Sequence, residues 1–239
     1  MRFTSRASSD GVLTREFLLD GIPAVLRTPD GATGTRPLVL IGHGGGQHKA
    51  APGVVARAHR LVSECGYAVA AVDAPAHGGR PRSPEHERLI GALRAGGDPT
   101  PVLTELHAHL AAQSVPEWRA VLDALRTLDG VGEGPVGYVG MSLGCALGVP
   151  FVAAEPRVRA AVLGLNGAGT SVEAARRITA PVEFVLQWDD ERVPRDAALA
   201  LFDAFGSTEK TLHANPGGHG DVPAFETDSA IRFLRRHLG

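Results

Sequence analysis

The feature that most restricts the fold is a repeated change of hydrophobic period. After residue 36 the chain passes through six short apolar runs: PLVLI (37–41), YAVAAV (67–72), VGYVG (136–140), RAAVLGL (159–165), PVEFVLQ (181–187) and the weaker KTLHA (210–214). Runs this short and this continuous suit strands buried on both faces. Between them, apolar residues recur at helical spacing. Val54, Val55, Ala58, Leu61 and Val62 form one stripe; Trp118, Val121, Leu122, Leu125 and Leu128 form another; Ala230, Ile231, Leu234 and Leu238 form a third. One-faced helices need a sheet to cover, and strands buried on both faces need helices on both sides. The alternation predicts an α/β fold, a mainly parallel twisted sheet with helices on both faces.

Two further runs, TREFLL (14–19) and IPAVLR (22–27), flank Asp20-Gly21, a pair suited to the positive φ angles of a tight turn. They predict an N-terminal antiparallel hairpin and bring the sheet to about eight strands. Residues 78–116 are longer than one crossover needs and hold two helix-like stretches, SPEHERLIGALRA and TPVLTELHAHLAAQ, parted by Gly96-Gly97-Asp98-Pro99. This segment is a candidate helical lid on a single domain spanning 1–239. Asn166 to Thr179 is too short for a large cap domain. Pro150 is expected to bend or shorten the helix it falls in. The last helix is expected to open at Asp221 as cap, with Pro223 in its first turn.

Composition narrows the partners. With 21% charged residues, 44% hydrophobic residues and a formal net charge of -2, neither disorder nor a polyanion-binding surface is indicated, so nucleic acid is not expected. Cys65 and Cys145 are the two cysteines, and neither sits in a CxxC or Cys/His cluster. No run of signal-peptide character opens the chain and no stretch of about 18 apolar residues occurs. The expectation is a cytoplasmic protein that does not enter the membrane.

In open parallel sheets, ligands meet the loops beyond the carboxyl ends of the strands. Here those tips read GHGGGQHK, DAPAHGGR, GMSLG, WDDERVP and NPGGHG. In a chain with 30 glycines, a G-x-S-x-G string alone carries little weight. Its place between a buried strand and a helix gives it meaning: Ser142 on a sharp turn would project its hydroxyl from the sheet edge. A nucleophilic serine needs a base, an acid that orients the base, and donors for an oxyanion. His219 in NPGGHG supplies an imidazole. Asp190 supplies a carboxylate, with Asp189 and Asp221 as rivals. The N–H of Leu143, at the start of the following helix, and one from the Gly44-Gly45-Gly46 loop supply donors.

The order Ser, Asp, His on these strands resembles the α/β-hydrolase family and, within it, the small dienelactone-hydrolase-like serine esterases. The likeness spans nearly the whole chain, from HGGG through GMSLG to PGGHG. In that family the acid lies in a pattern G-x-x-D-x-x-V, matched by QWDDERV with Gln187 in place of Gly, which puts the acid role on Asp190. The PGGHG loop puts the base role on His219. The HGGG tip puts the second oxyanion donor on Gly45, two residues after His43. The resemblance implies hydrolysis of small-molecule carboxylic esters, or of thioesters, through an acyl-enzyme, with no cofactor or metal. Dienelactone hydrolases proper use a cysteine nucleophile, so the serine at 142 does not carry their substrate across. Two alternatives stand beside this reading: a small peptidase of prolyl-oligopeptidase type, and a ligand-binding protein that keeps the scaffold without turnover.

Other conspicuous residues are given plainer roles. His43 is expected to order its loop and His77 to be structural. His107 and His109, two apart on a helix, face different ways and cannot chelate one ion. Cys145 is a small buried filler, while Trp188 and the Leu-rich stretch 102–115 are assigned to core ahead of pocket. Oligomeric state has no signature in the sequence.

Overall fold

The computed structural model describes residues 1–239, the side chain of Thr170 excepted. Nine strands form one sheet in the order β1-β2-β3-β5-β4-β6-β7-β8-β9. Strands β1 (Arg2–Ser9), β2 (Val12–Leu19) and β3 (Ile22–Pro29) are antiparallel to their neighbours, and β3 also runs antiparallel to β5 (Ala68–Val72). The rest, β4 (Leu38–Gly42), β5, β6 (Val136–Met141), β7 (Val158–Gly164), β8 (Val182–Gln187) and β9 (Lys210–Asn215), are parallel. The ninth strand is β1. Every one of its residues is exposed, so it carries no apolar run from which a sequence reading could find it.

Helices α1 (Pro52–Cys65) and α7 (Phe225–Leu238) cover one face of the sheet, where Val54, Leu61, Ile231 and Leu234 pack on Val39, Val69 and Val162. On the other face lie α3 (Thr100–Arg126), α4 (Leu143–Ala154), α5 (Val172–Arg176) and α6 (Arg195–Ala204). Trp118 is the largest side chain of that layer, with its ring centroid 5.7 Å from those of both Tyr138 and Phe151. Helix α2 (Pro84–Arg94) stands apart. Its Leu89 joins Leu106, Leu110, Leu143 and Leu147 in a separate apolar cluster above the sheet edge.

Two sequence expectations shift. The stretch TPVLTELHAHLAAQ and the Trp118 stripe are one helix: α3 runs 27 residues, through Pro116. Burial of Leu106, Leu110, Trp118, Val121, Leu122 and Leu125 along one side outweighs the hydrogen bond that proline forgoes. The last helix begins at Phe225, later than Asp221 and Pro223 suggested. Asp221 is engaged elsewhere, its Oδ2 accepting the Gly218 N–H at 2.8 Å, and the Pro223 carbonyl closes a turn onto the Glu226 N–H. Pro150 lies inside α4, which continues for four residues beyond it.

The connections run β4 to α1 to β5 on one side of β4, then back through α2 and α3 to β6 on the other side. Chain direction along the sheet reverses at β4, and a crevice opens where successive loops diverge. The HGGG tip after β4 and the GMSLG tip after β6 are adjacent across it.

Truncating Trp118 to Ala removes the ring shared by α3, β6 and α4. This change is expected to lower stability by about 3–5 kcal/mol, read as a reduced urea midpoint with unchanged m-value.

Candidate active site

Ser142 occupies the turn between β6 and α4 with φ 56° and ψ -119°, a left-handed conformation that costs a non-glycine residue of order 1–3 kcal/mol. The neighbouring backbone holds it there: the Ser142 N–H donates to the Gly164 carbonyl at 3.0 Å, and the Ser142 carbonyl accepts from Cys145 and Ala146 at 2.9 Å each. The turn closes tightly because α4 meets the end of β4 with no side chain between them. A Cβ added at Gly42 would lie 3.0 Å from Gly144 Cα, and one added at Gly144 would collide with the Gly42 carbonyl oxygen. Tyr138, fully buried below, donates its hydroxyl to the Gly144 carbonyl at 2.7 Å and fixes the helix start from inside.

The loop after β9 brings His219 over this turn. Its Nδ1 lies 2.7 Å from Asp190 Oδ2 and its Nε2 lies 3.0 Å from Ser142 Oγ. An ionised carboxylate only accepts, so the ring proton sits on Nδ1, and Nε2 presents a lone pair to the serine hydroxyl. The His219 and Asp190 side chains are 9% and 3% exposed, which strengthens their pairing by excluding water. The second oxygen of Asp190 accepts the N–H groups of Arg192 and Val193 at 2.8 and 3.0 Å. Its rivals are occupied elsewhere: Asp189 accepts the Gly217 N–H at 3.2 Å and Asp221 that of Gly218.

The two donor candidates also converge. Gly45 and Leu143 both line the cavity that contains Ser142 and His219, and a Cβ built on Gly45 would lie 4.0 Å from Leu143 Cβ. Gly44 is already committed, with its N–H to Gln47 Oε1 at 3.3 Å. Leu143 is the first residue of α4, where a backbone N–H has no partner within the helix. The Gly45 N–H meets no acceptor among the described residues.

Around the site stand several supports, of which His43 orders its loop as the sequence suggested, while Asp73, Arg80 and Glu191 carry no sequence signal strong enough to single them out. His43, buried under the HGGG loop, accepts the Ala74 N–H on Nε2 at 3.0 Å, which leaves Nδ1 to donate to the Gly44 carbonyl at 2.9 Å. Burial lowers its pKa, in keeping with a neutral ring. Asp73, with no exposed surface, accepts the Lys49 N–H at 2.7 Å and the Gly79 N–H at 3.2 Å, tying the tips of β4 and β5 together. Arg80 pairs with Glu117 on α3. Glu191 Oε2 accepts the backbone N–H of His219 at 2.9 Å, and this bond holds its carboxyl below the usual carboxylate range.

A cavity of about 480 Å³ opens above Ser142. Ile90, Leu103, Leu106, Leu110, Leu165 and Val193 line its walls, so the segment assigned to a lid forms its roof and part of the Leu-rich stretch faces it. His77 and His107 also line it, and burial lowers the pKa of His107. Trp188 faces away, 44% exposed beneath the Arg195 guanidinium. Cys145 is buried behind the turn, and burial pushes its thiol up to about 12.

No protein-family model matches the chain, and no curated protein does. Solved structures do. A cold-adapted esterase from an Arctic intertidal metagenomic library is 32% identical over 100% of both chains, with a TM-score of 0.82. An acetyl xylan esterase from a Paenibacillus species shares the fold at 16% identity, with a TM-score of 0.76 over 99% of this chain and 88% of that one. The chain belongs to the α/β-hydrolase family, in its dienelactone-hydrolase-like esterase branch. It is a carboxylic ester hydrolase.

The contact between Gly42 and Gly144 is directly testable. Gly144→Ala is expected to cost about 1–3 kcal/mol by overpacking, seen as a lower thermal midpoint. Gly45→Ala, whose added Cβ reaches only an ordinary contact distance, is expected to leave that midpoint within about 1 °C.

Proposed function

We propose that Ser142, His219 and Asp190 act as a catalytic triad and that Gly45 and Leu143 hold the oxyanion. The observation that carries this reading is the unbroken hydrogen-bonded line from Asp190 through His219 to Ser142, at 2.7 and 3.0 Å. The Ser142 hydroxyl proton passes to His219 Nε2 as Oγ attacks the ester carbonyl carbon. Charge gathers on the carbonyl oxygen between the two backbone donors, which need not reorganise to receive it. As the tetrahedral intermediate collapses, the alcohol leaves with the proton from Nε2. Water then gives a proton to Nε2 and attacks the acyl-enzyme, releasing the acid and restoring the serine. Asp190 keeps its charge throughout and stabilises the imidazolium.

The substrates are small-molecule carboxylic esters, and thioesters are accepted by the same steps because their carbonyl presents the same geometry to Oγ. The apolar walls of the cavity favour an ester with a sizeable hydrocarbon group. The domain is single, and α2 with the first half of α3 serves as its lid. A reducing, cytoplasmic setting accords with the two unpaired cysteines, Cys65 and Cys145. Among the described residues no helix is long and apolar enough to cross a membrane.

Ser142→Ala is expected to abolish aryl-ester turnover and labelling by a fluorophosphonate, with the circular dichroism spectrum unchanged; residual turnover at the wild-type rate would exclude Ser142 as nucleophile. Asp190→Asn is expected to lower kcat by about 10⁴-fold through loss of the correct tautomer, and Asp189→Asn by less than about tenfold. Equal losses in the two variants would remove Asp190 from the triad. A series of p-nitrophenyl esters and matched thioesters of increasing acyl length should show rising kcat/KM until the cavity is filled.

A further inference from the structure

On the side of the sheet away from the cavity, three ionisable side chains meet at the β8–β9 edge. Val185 pairs with His213 and Gln187 with Asn215, so the period of two places Glu183, His213 and Asn215 on one face. Glu226, in the first turn of α7, comes down onto them. His213 Nδ1 lies 2.7 Å from Glu226 Oε2, and Asn215 Nδ2 donates to Glu226 Oε1 at 2.9 Å. Both oxygens of Glu226 are therefore used, and the His213 proton is fixed on Nδ1. The Nε2 lone pair then faces Glu183, whose Oε2 is 3.9 Å away. That separation is too long for a hydrogen bond, yet bonds of about 2.0–2.2 Å from a zinc ion to each atom span it.

Glu183 is the residue that asks for a ligand. It is 3% exposed, and its Oε1 is buried with no hydrogen-bond partner among the described residues. A buried carboxylate in this state is costly unless a cation or a proton compensates it. Arg232 acts on it only at a distance. One donor atom from each of Glu183, His213 and Glu226 lies within 4.8 Å of the other two.

We propose that Glu183, His213 and Glu226 form a binding site for one divalent first-row metal ion, zinc above all. His213 Nε2 and Glu183 supply the bonds, while Glu226 orients the ring through Nδ1–H and adds its charge, the arrangement by which carboxylates position histidine ligands. One imidazole nitrogen with one carboxylate is a mixed, borderline donor set, which suits zinc better than calcium or magnesium. His213 is 28% exposed, leaving an approach for the ion and room for water to complete the coordination. The role is structural. His213 and Glu226 stand thirteen residues apart and bracket the loop that carries His219, so the ion would clamp both ends of that loop without touching the reacting atoms.

The test uses the full chain stripped with EDTA and then titrated with ZnCl₂. One zinc per chain is expected by calorimetry, with a raised thermal midpoint. A crystal soaked with zinc should give an anomalous peak between Glu183 and His213. Glu183→Gln and His213→Ala are expected to weaken binding at least tenfold and remove the thermal shift, and an unchanged circular dichroism spectrum with a cooperative thermal transition reports that both variants are folded. Absence of heat and of thermal shift in the wild-type chain, or an anomalous peak only at other histidines, overturns the proposal. So does wild-type zinc affinity in His213→Ala. Because metal binding is read apart from turnover, these results stand whether or not the triad assignment does.

Discussion

The close approach of β4 and α4 is the constraint on which the rest of the site depends. Two backbones meet at Gly42 and Gly144 with nothing between them, and Tyr138 ties the helix start from below. Because the helix cannot retreat, the residue before it must turn through a left-handed conformation, and Ser142 is that residue. The same contact sets the first N–H of α4 beside the glycine loop after β4. The placement of Ser142 and that of the two backbone donors proposed for the oxyanion are consequences of one packing event between main chains, and neither can be tuned without disturbing the other.

Around this centre the polar groups are arranged in depth. Asp190 reaches His219, and its other oxygen is held by two backbone N–H groups. Glu191, the next residue, holds the backbone of His219, so the short segment after β8 grips that histidine at both main chain and side chain. On the opposite side His43 and Asp73 bind the tips of β4 and β5 to each other. Left-handed residues recur at these tips, Ala76, Ser142 and Leu165 all having positive φ and all lining the cavity. Strain is concentrated where the chain must face a ligand, and the surrounding hydrogen bonds over-determine it.

Much of this was legible in the sequence because parallel strands buried on both faces leave an unmistakable signal. PLVLI, VGYVG and PVEFVLQ are apolar throughout, so their ends mark the tips, and the polar residues just beyond them are the ones the structure gathers. Strand β1 had no such signal, since its residues face water on both sides. The stretch TPVLTELHAHLAAQ and the Trp118 stripe read as separate because nothing local shows that one buried face continues through Pro116, and the start of α7 differs because Asp221 binds Gly218 instead of capping a helix. Glu191 and Asp73 were illegible for a different reason. Their partners are backbone N–H groups distant in the chain, and nothing in residue type or spacing announces such a bond.

The continuity of α3 has a bearing on how this enzyme can change. Leu103, Leu106 and Leu110 sit at one end of the rod and face the cavity, while Trp118, Val121 and Leu125 at the other end are locked against the sheet. A stiff lever anchored in the core gives the ceiling a fixed height, and the turn that joins it to α2 is made by Gly96 and Gly97, both with positive φ. Widening the substrate range by reshaping the ceiling therefore costs folding stability, whereas Ile90, a partly buried cavity residue of α2, lies outside the core that holds the sheet. Adaptation to new esters has an inexpensive side and a costly one, and the chain's architecture decides which is which.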